Sequence, residues 1–240
     1  MTQNPNFQPL YAQVKALMVH RLANNIWMPG TALPSESQLA REFGVSQGTV
    51  RKALDELTSE HLLVRRQGRG TFVAEHTQDR ALFHFLHLVG ENDSRQLPTS
   101  QVLRIEPVAA NALEIEQLKL EPNETVIRVS RVRFLNERPV IHETISVPEA
   151  LFPGLDQMGK ELPNSLYAVY ERQYGVSVSH AIERLSATAA QDEVARQLDL
   201  APGTPLLSIQ RTAYTLNSRP VELRISRCHT QNHHYLLELT

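Results

Sequence analysis

The residues of this chain best suited to chemistry are cations at two places. Ser46, Gln47, Gly48, Thr49, Arg51 and Lys52 form one group. Short side chains followed by cations suit a helix start that approaches phosphates and base edges. The Arg51 fork matches the two acceptors of guanine, which makes it the expected base reader. The same residues on a solvated helix face would carry no such role. Further on, Arg65, Arg66 and Arg69 with Gly70 offer charge and close backbone approach for backbone or minor-groove contact. Arg65 also fits an ordinary cation on a strand face.

The second place is Arg131 and Arg133, two residues apart on an expected strand, so both leave the same face, with Val129 before them. Paired guanidiniums among apolar residues need anions, and a carboxylate or phosphate ligand would supply them. Glu143, on the partner arm, is either their internal counter-ion or an acceptor for a ligand hydroxyl or amine. Ser165 opens a helix, and with the amides of Leu166 and Tyr167 it offers an anion site at the positive end of the dipole. A plain N-cap serine has the same sequence signature.

A zinc site is the natural question for Cys228, His229, His233 and His234. Their spacing fits no common structural zinc pattern, so neither a metal nor a cofactor is expected. No Gly-x-Ser-x-Gly elbow, phosphate loop, dinucleotide fingerprint or His-Glu-x-x-His segment occurs. The expectation is a binding protein with no catalytic residues.

Helical spacing of Leu10, Val14, Leu17, Met18, Leu22 and Ile26 predicts a first helix that Pro29-Gly30 stops. Ser35 caps a short second helix that Gly44 closes, and Ser46 caps a third running to about Glu60. Two helices about a tight glycine turn, followed by strands Leu62 to Arg66 and Thr71 to Val73 around Gln67-Gly68-Arg69-Gly70, make a winged helix-turn-helix.

Beyond it the chain is duplicated. Leu120-Glu121-Pro122-Asn123-Glu124-Thr125 matches Leu200-Ala201-Pro202-Gly203-Thr204-Pro205 at an offset of 80, each after a short helix, Ala112 to Leu118 and Glu193 to Leu198. Arg131 then matches Arg211 and Phe134 matches Tyr214. Hairpins Val126–Phe134 with Val140–Val147, and Leu206–Leu216 with Val221–Cys228, predict an antiparallel sheet with helices on one side. The second copy has Ala213 for Arg133 and Arg224 for Glu143, so one copy alone is expected to hold a complete pocket. A further helix spans Asn164 to Tyr174, and Phe83, Phe85 and Leu88 suit an opening strand.

The chain has 240 residues, 41% of them hydrophobic and 21% charged, a globular composition. The net charge of −2 divides unevenly: residues 1–76 hold 8 Lys+Arg against 6 Asp+Glu, the remainder 16 against 20. Apolar runs such as Leu62-Leu63-Val64 fall far short of the roughly 20 residues that cross a bilayer. A polar start without a basic or apolar signal region and a lone cysteine lead to the expectation of a cytoplasmic protein without membrane partners.

The segment LPSESQLAREFGVSQGTVRKALDELTSEHLLVRRQGRGTFV resembles the GntR family of bacterial transcription regulators, over about residues 9–75. The second part, with SRVRFLNERPVIHETISVP and PNSLYAVYERQYG, looks like the UTRA effector-binding domain of the HutC subfamily over about residues 82–240. The resemblance implies an α+β chain, a winged helix-turn-helix domain followed by an antiparallel-sheet UTRA domain with a chorismate-lyase-like fold. The expected organisation is a DNA-binding domain at 1–75, a linker at 76–81, and an effector-binding and dimerisation domain at 82–240. The implied function is a homodimeric repressor on double-stranded palindromic operator DNA, released by a small effector. Lyase activity in the C-terminal domain is the alternative, which the attached winged helix argues against. The chain departs from the family at Ser37 and Gln47, where arginine is frequent, and at Cys228 to Gln231, where many relatives have a Tyr-Arg-Gly-Asp-like segment.

Overall fold

The computed structural model describes residues 8–75, 87–90 and 96–238. The expected linker at 76–81 and the strand expectation at Phe83 and Phe85 lie outside them. The chain divides into two compact units after Glu75.

The first unit is α1 Leu10–Ala23, α2 Glu36–Phe43, α3 Gln47–Ser59 and a hairpin of β1 Leu63–Arg66 with β2 Gly70–Val73. Ser35 caps α2 through a full capping box with Gln38, and Gly44 ends it in the left-handed region at φ 66°. Such a cap contributes about 1 kcal/mol. The helix ends one turn short of the expected Ile26, because Asn25 takes φ 54° and turns the chain out of the helix. Val14, Met18, Leu39, Val50, Leu54, Leu57, Leu63 and Val73 form one core, which fixes α3 against α1, α2 and the wing.

The second unit is built on a six-stranded antiparallel sheet. Its elements are β3 Leu88–Gly90, β4 Thr99–Ala109, α4 Ala112–Leu118, β5 Thr125–Leu135, β6 Arg138–Pro148, a 3-10 helix Leu155–Glu161, α5 Leu166–Tyr174, β7 Val178–Ala189, α6 Asp192–Gln197, β8 Pro205–Thr215, β9 Pro220–Cys228 and β10 His233–Tyr235. The order β4-β5-β6-β9-β8-β7 sets the two copies of the repeat side by side, joined where β6 pairs β9. The copies repeat in detail: Ala110 N donates to Glu124 O and Ala190 N to Thr204 O. At the same turn position Asn123 and Gly203 both have positive φ, 74° and 86°. A ribbon of β3 with β10 stands apart from the main sheet.

The helices cover both faces of the sheet, not one. Leu118 of α4 packs with Val126, and α6 packs with Val132, while α5 packs with Ile127 and Val129. Even and odd residues of β5 face opposite ways, so both of its faces are core. Its buried apolar residues accordingly fall on both faces, Val126 and Val132 on one and Ile127 and Val129 on the other.

Candidate effector cavity and nucleic-acid interface

In the first unit the start of α3 is open. Ser46, Gln47 and Gly48 are exposed, and the Ser46 hydroxyl accepts from the Thr49 amide at 3.1 Å, fixing the first turn. Arg51 is 60% exposed in its side chain and donates through Nε and Nη2 to Glu36 Oε2 at 3.0 and 2.8 Å. Arg65 Nη2 pairs with Asp55 at 2.6 Å and stands 3.9 Å from Glu36 Oε1. Lys52 turns toward α1, its Nζ 3.8 Å from the centre of the Tyr11 ring. Arg69 is exposed at the wing tip between Gly68 and Gly70, whose φ values of 69° and 105° make the turn. The fold thus gathers Arg51 and Arg65 about one carboxylate. Glu36 and Asp55 are the members that the sequence reading did not single out, since neither spacing nor type marks a carboxylate that acts across elements.

In the second unit Arg131 and Arg133 are both buried. Arg131 lies opposite Glu143 in the β5–β6 register and donates through Nε to its Oε2 at 2.6 Å. Its Nη1 donates to Asn164 O at 3.1 Å. Arg133 Nη2 donates to Asn164 Oδ1 at 3.2 Å, and its Nη1 stands 3.7 Å from Glu143. Arg133 Nε is buried with no hydrogen-bond partner.

A cavity of about 350 Å³, its open mouth included, lies beside Arg133. Arg133, Glu143, Arg211, Arg224 and Ser226 form polar walls, Tyr235 and His87 of the ribbon segment add to them, and Leu88, Ile141, Ile209 and Cys228 complete the lining. Both copies of the repeat therefore build one cavity, where the sequence reading expected a single complete copy. The reason is the β6–β9 junction, which places Glu143 opposite Ser226 and Ile145 opposite Arg224. The internal match of Arg131 to Arg211 was the available signal. Arg131, Ser165, Leu166 and Tyr167 are not among these walls. The Ser165 hydroxyl does not cap α5 and is buried without a partner. Leu166 and Tyr167 pack in the core, and the Tyr167 hydroxyl donates to Glu222 at 3.1 Å.

Around the cavity Arg131, Arg133, Arg211 and Arg224 share three carboxylates, Glu143, Glu183 and Glu222. Burial pushes the Glu143 carboxyl up, but Arg131, Arg224 and Arg133 outweigh it and hold it well below the usual range. Arg224 stays firmly charged, because Glu222 and Glu143 outweigh its burial. Arg133 is different: burial pulls it down to about 9, Glu143 opposes this only in part, and Arg131, Arg224 and Arg211 push the same way as burial. It is the cation that its surroundings satisfy least. Burial raises the Tyr167 hydroxyl to about 12 and drives the Cys228 thiol up, which keeps both protonated. Cys228 is buried at the end of β9, and His233 and His234 lie on β10.

Among the described residues no helix is long and apolar enough to cross a membrane. Residues 10–73 match the family model of bacterial regulatory proteins, gntR family, and residues 94–234 match the UTRA domain. The uncharacterized HTH-type transcriptional regulator YurK of Bacillus subtilis is 30% identical over 236 residues, with 96% of this chain and 95% of that protein covered. The histidine utilization repressor of Pseudomonas putida is 34% identical over 210 residues, covering 86% and 83%. Among solved structures, the ligand-binding domain of a GntR-family regulator from Bordetella bronchiseptica superposes with a TM-score of 0.62 at 31% identity, covering 65% of this chain and 98% of that one. The chain belongs to the gntR family of bacterial regulatory proteins, a DNA-binding transcriptional regulator whose second domain is a UTRA domain for small-molecule effectors.

Proposed function

We propose that this regulator is a cytoplasmic repressor that holds an inverted-repeat operator as a homodimer and releases it when a small anion enters the cavity of Arg133, Arg211 and Arg224. The observation that carries the ligand class is Arg133: a buried cation, its Nε unpartnered, on the wall of a cavity with more guanidiniums than carboxylates around it. A carboxylate or phosphate would supply both the missing charge and the missing acceptor. Repression draws support from relatives such as the histidine utilization repressor. Symmetric DNA follows from a symmetric dimer that presents two recognition helices.

In this reading residues 1–75 bind DNA, 76–81 link, and 82–240 bind the effector and dimerise. The Ser46, Gln47, Gly48 and Thr49 start of α3, with Arg51, approaches the major groove; Lys52, Arg65, Arg69 and Gly70 support contact with the backbone. The test is a thermal-shift screen of carboxylates and phosphate esters, since a ligand of the folded state raises the melting temperature. Hits are then titrated against protein bound to DNA. An anion that both stabilises the protein and dissociates it from DNA supports the reading. A screen in which only neutral compounds do so removes the anionic effector.

A further inference from the structure

We infer that Glu36 is the positioning residue for base readout: it occupies one edge of the Arg51 guanidinium and so presents the other edge to a guanine. The inference rests on the proposed major-groove role of α3 and names the part that Glu36 plays in it. Glu36 is the first residue of α2, whose start the Ser35 and Gln38 capping box fixes. Its Oε2 accepts from Arg51 Nε at 3.0 Å and from Nη2 at 2.8 Å. Its Oε1 faces Arg65 Nη2 at 3.9 Å, and Arg65 is itself held by Asp55. Cations from α3 and β1 therefore orient the carboxylate from two sides.

A planar guanidinium offers a side-on pair of N–H groups, on Nε and Nη2, and an end-on pair, on Nη1 and Nη2. Glu36 consumes the side-on pair. The end-on pair is left, and two parallel N–H groups match guanine O6 and N7. Arg51 is otherwise a long, exposed side chain with no structural duty in the core, and holding it in one orientation reduces the entropy it must lose on docking. A carboxylate at this place repels phosphates, so its presence disfavours binding that depends on charge alone. Glu36 thus works for discrimination between sequences and against indiscriminate affinity. As a helix-start acid it also interacts favourably with the α2 dipole, and this purely structural role predicts a different outcome.

The test uses the full chain and a duplex that it enriches from a random pool, compared with a scrambled duplex of equal length. The specificity ratio is measured for the wild type, Glu36→Gln, Glu36→Asp, Arg51→Ala and the Glu36→Gln, Arg51→Ala double variant, with melting temperatures alongside. Glu36→Gln is expected to lower the ratio roughly tenfold, within the range of one bidentate base contact. Affinity for the scrambled duplex should stay equal or rise, and the melting temperature should hold within a few degrees. In the Arg51→Ala background the same change should leave the ratio unmoved, because the carboxylate acts through Arg51. Glu36→Asp, which keeps the charge, should retain part of the ratio. An unchanged ratio in Glu36→Gln, or an equal loss with and without Arg51, overturns the inference while leaving DNA binding intact. A fall in the ratio that only tracks a fall in melting temperature overturns it in favour of the structural role. A chain that enriches no duplex overturns it together with the DNA-binding reading on which it rests.

Discussion

Arg131 and Arg133 leave the same face of β5 two residues apart, yet Arg131 Nε lies 2.6 Å from Glu143 and Arg133 Nη1 no closer than 3.7 Å. Arg131 is matched closely within the fold, and Arg133 only loosely. Replacing each by methionine should separate these conditions. Arg131→Met removes the closest cation from Glu143 and the donor to Asn164 O, and is expected to destabilise the domain by about 3–5 kcal/mol, the range for breaking a buried pair. Arg133→Met removes an under-satisfied charge and should leave the melting temperature nearly unchanged or raise it, while abolishing the anion response. Calorimetry of the two variants decides. Equal losses would mean that Arg133 is an internal structural partner.

Glu143 is the carboxylate on which Arg131, Arg133 and Arg224 converge. Glu143→Gln should cost several kcal/mol, comparable to Arg131→Met, because it leaves more than one buried cation uncompensated. The pH dependence has a definite sign. The folded carboxyl is held below its unfolded value of about 4.3, so its contribution is complete at neutral pH and is drawn down as the pH falls below about 4. Melting temperatures at pH 6 and pH 3 should therefore differ more for the wild type than for Glu143→Gln. An equal acid sensitivity would place the loss on other groups.

Arg51 is expected to carry sequence discrimination in the first unit. Arg51→Ala should weaken specific binding by roughly 1–3 kcal/mol and relax the preference at one base pair of each half-site. The affinity for scrambled DNA should change less. Retention of the full specific affinity and of every base preference would remove Arg51 from the readout.

Much of the first unit was legible because its signals are local. Ser35 and Ser46 mark helix starts through their side-chain hydroxyls, Gly44 marks a helix end through its left-handed backbone, and Gly68 with Gly70 marks the wing. Asn25 was missed, since an asparagine in the left-handed region carries a weaker signal than glycine. The repeat at offset 80 gave the hairpins but not the order of the strands. Sheet order depends on which edges pair, and the β6–β9 junction is a contact between residues some 80 positions apart. For that reason Arg133 and Glu143 were found from the sequence, whereas Arg211 and Arg224 joined them only through the fold. The Glu36–Arg51 pair was out of reach in the same way, as it joins two helices.

Coupling between the two units is reciprocal: an effector that weakens DNA binding must itself be weakened by DNA, by the same factor, typically about 5- to 150-fold. The most direct measurement is therefore the affinity of the wild type and of Arg133→Met for an enriched duplex, across a panel of small carboxylates and phosphate esters with neutral analogues of each. At least one anion should weaken the wild type by a factor in that range, its neutral analogue should not, and Arg133→Met should hold the duplex as tightly as the wild type while ignoring the anion. A neutral compound as the strongest releasing ligand, or an undiminished anion response in Arg133→Met, would contradict the account.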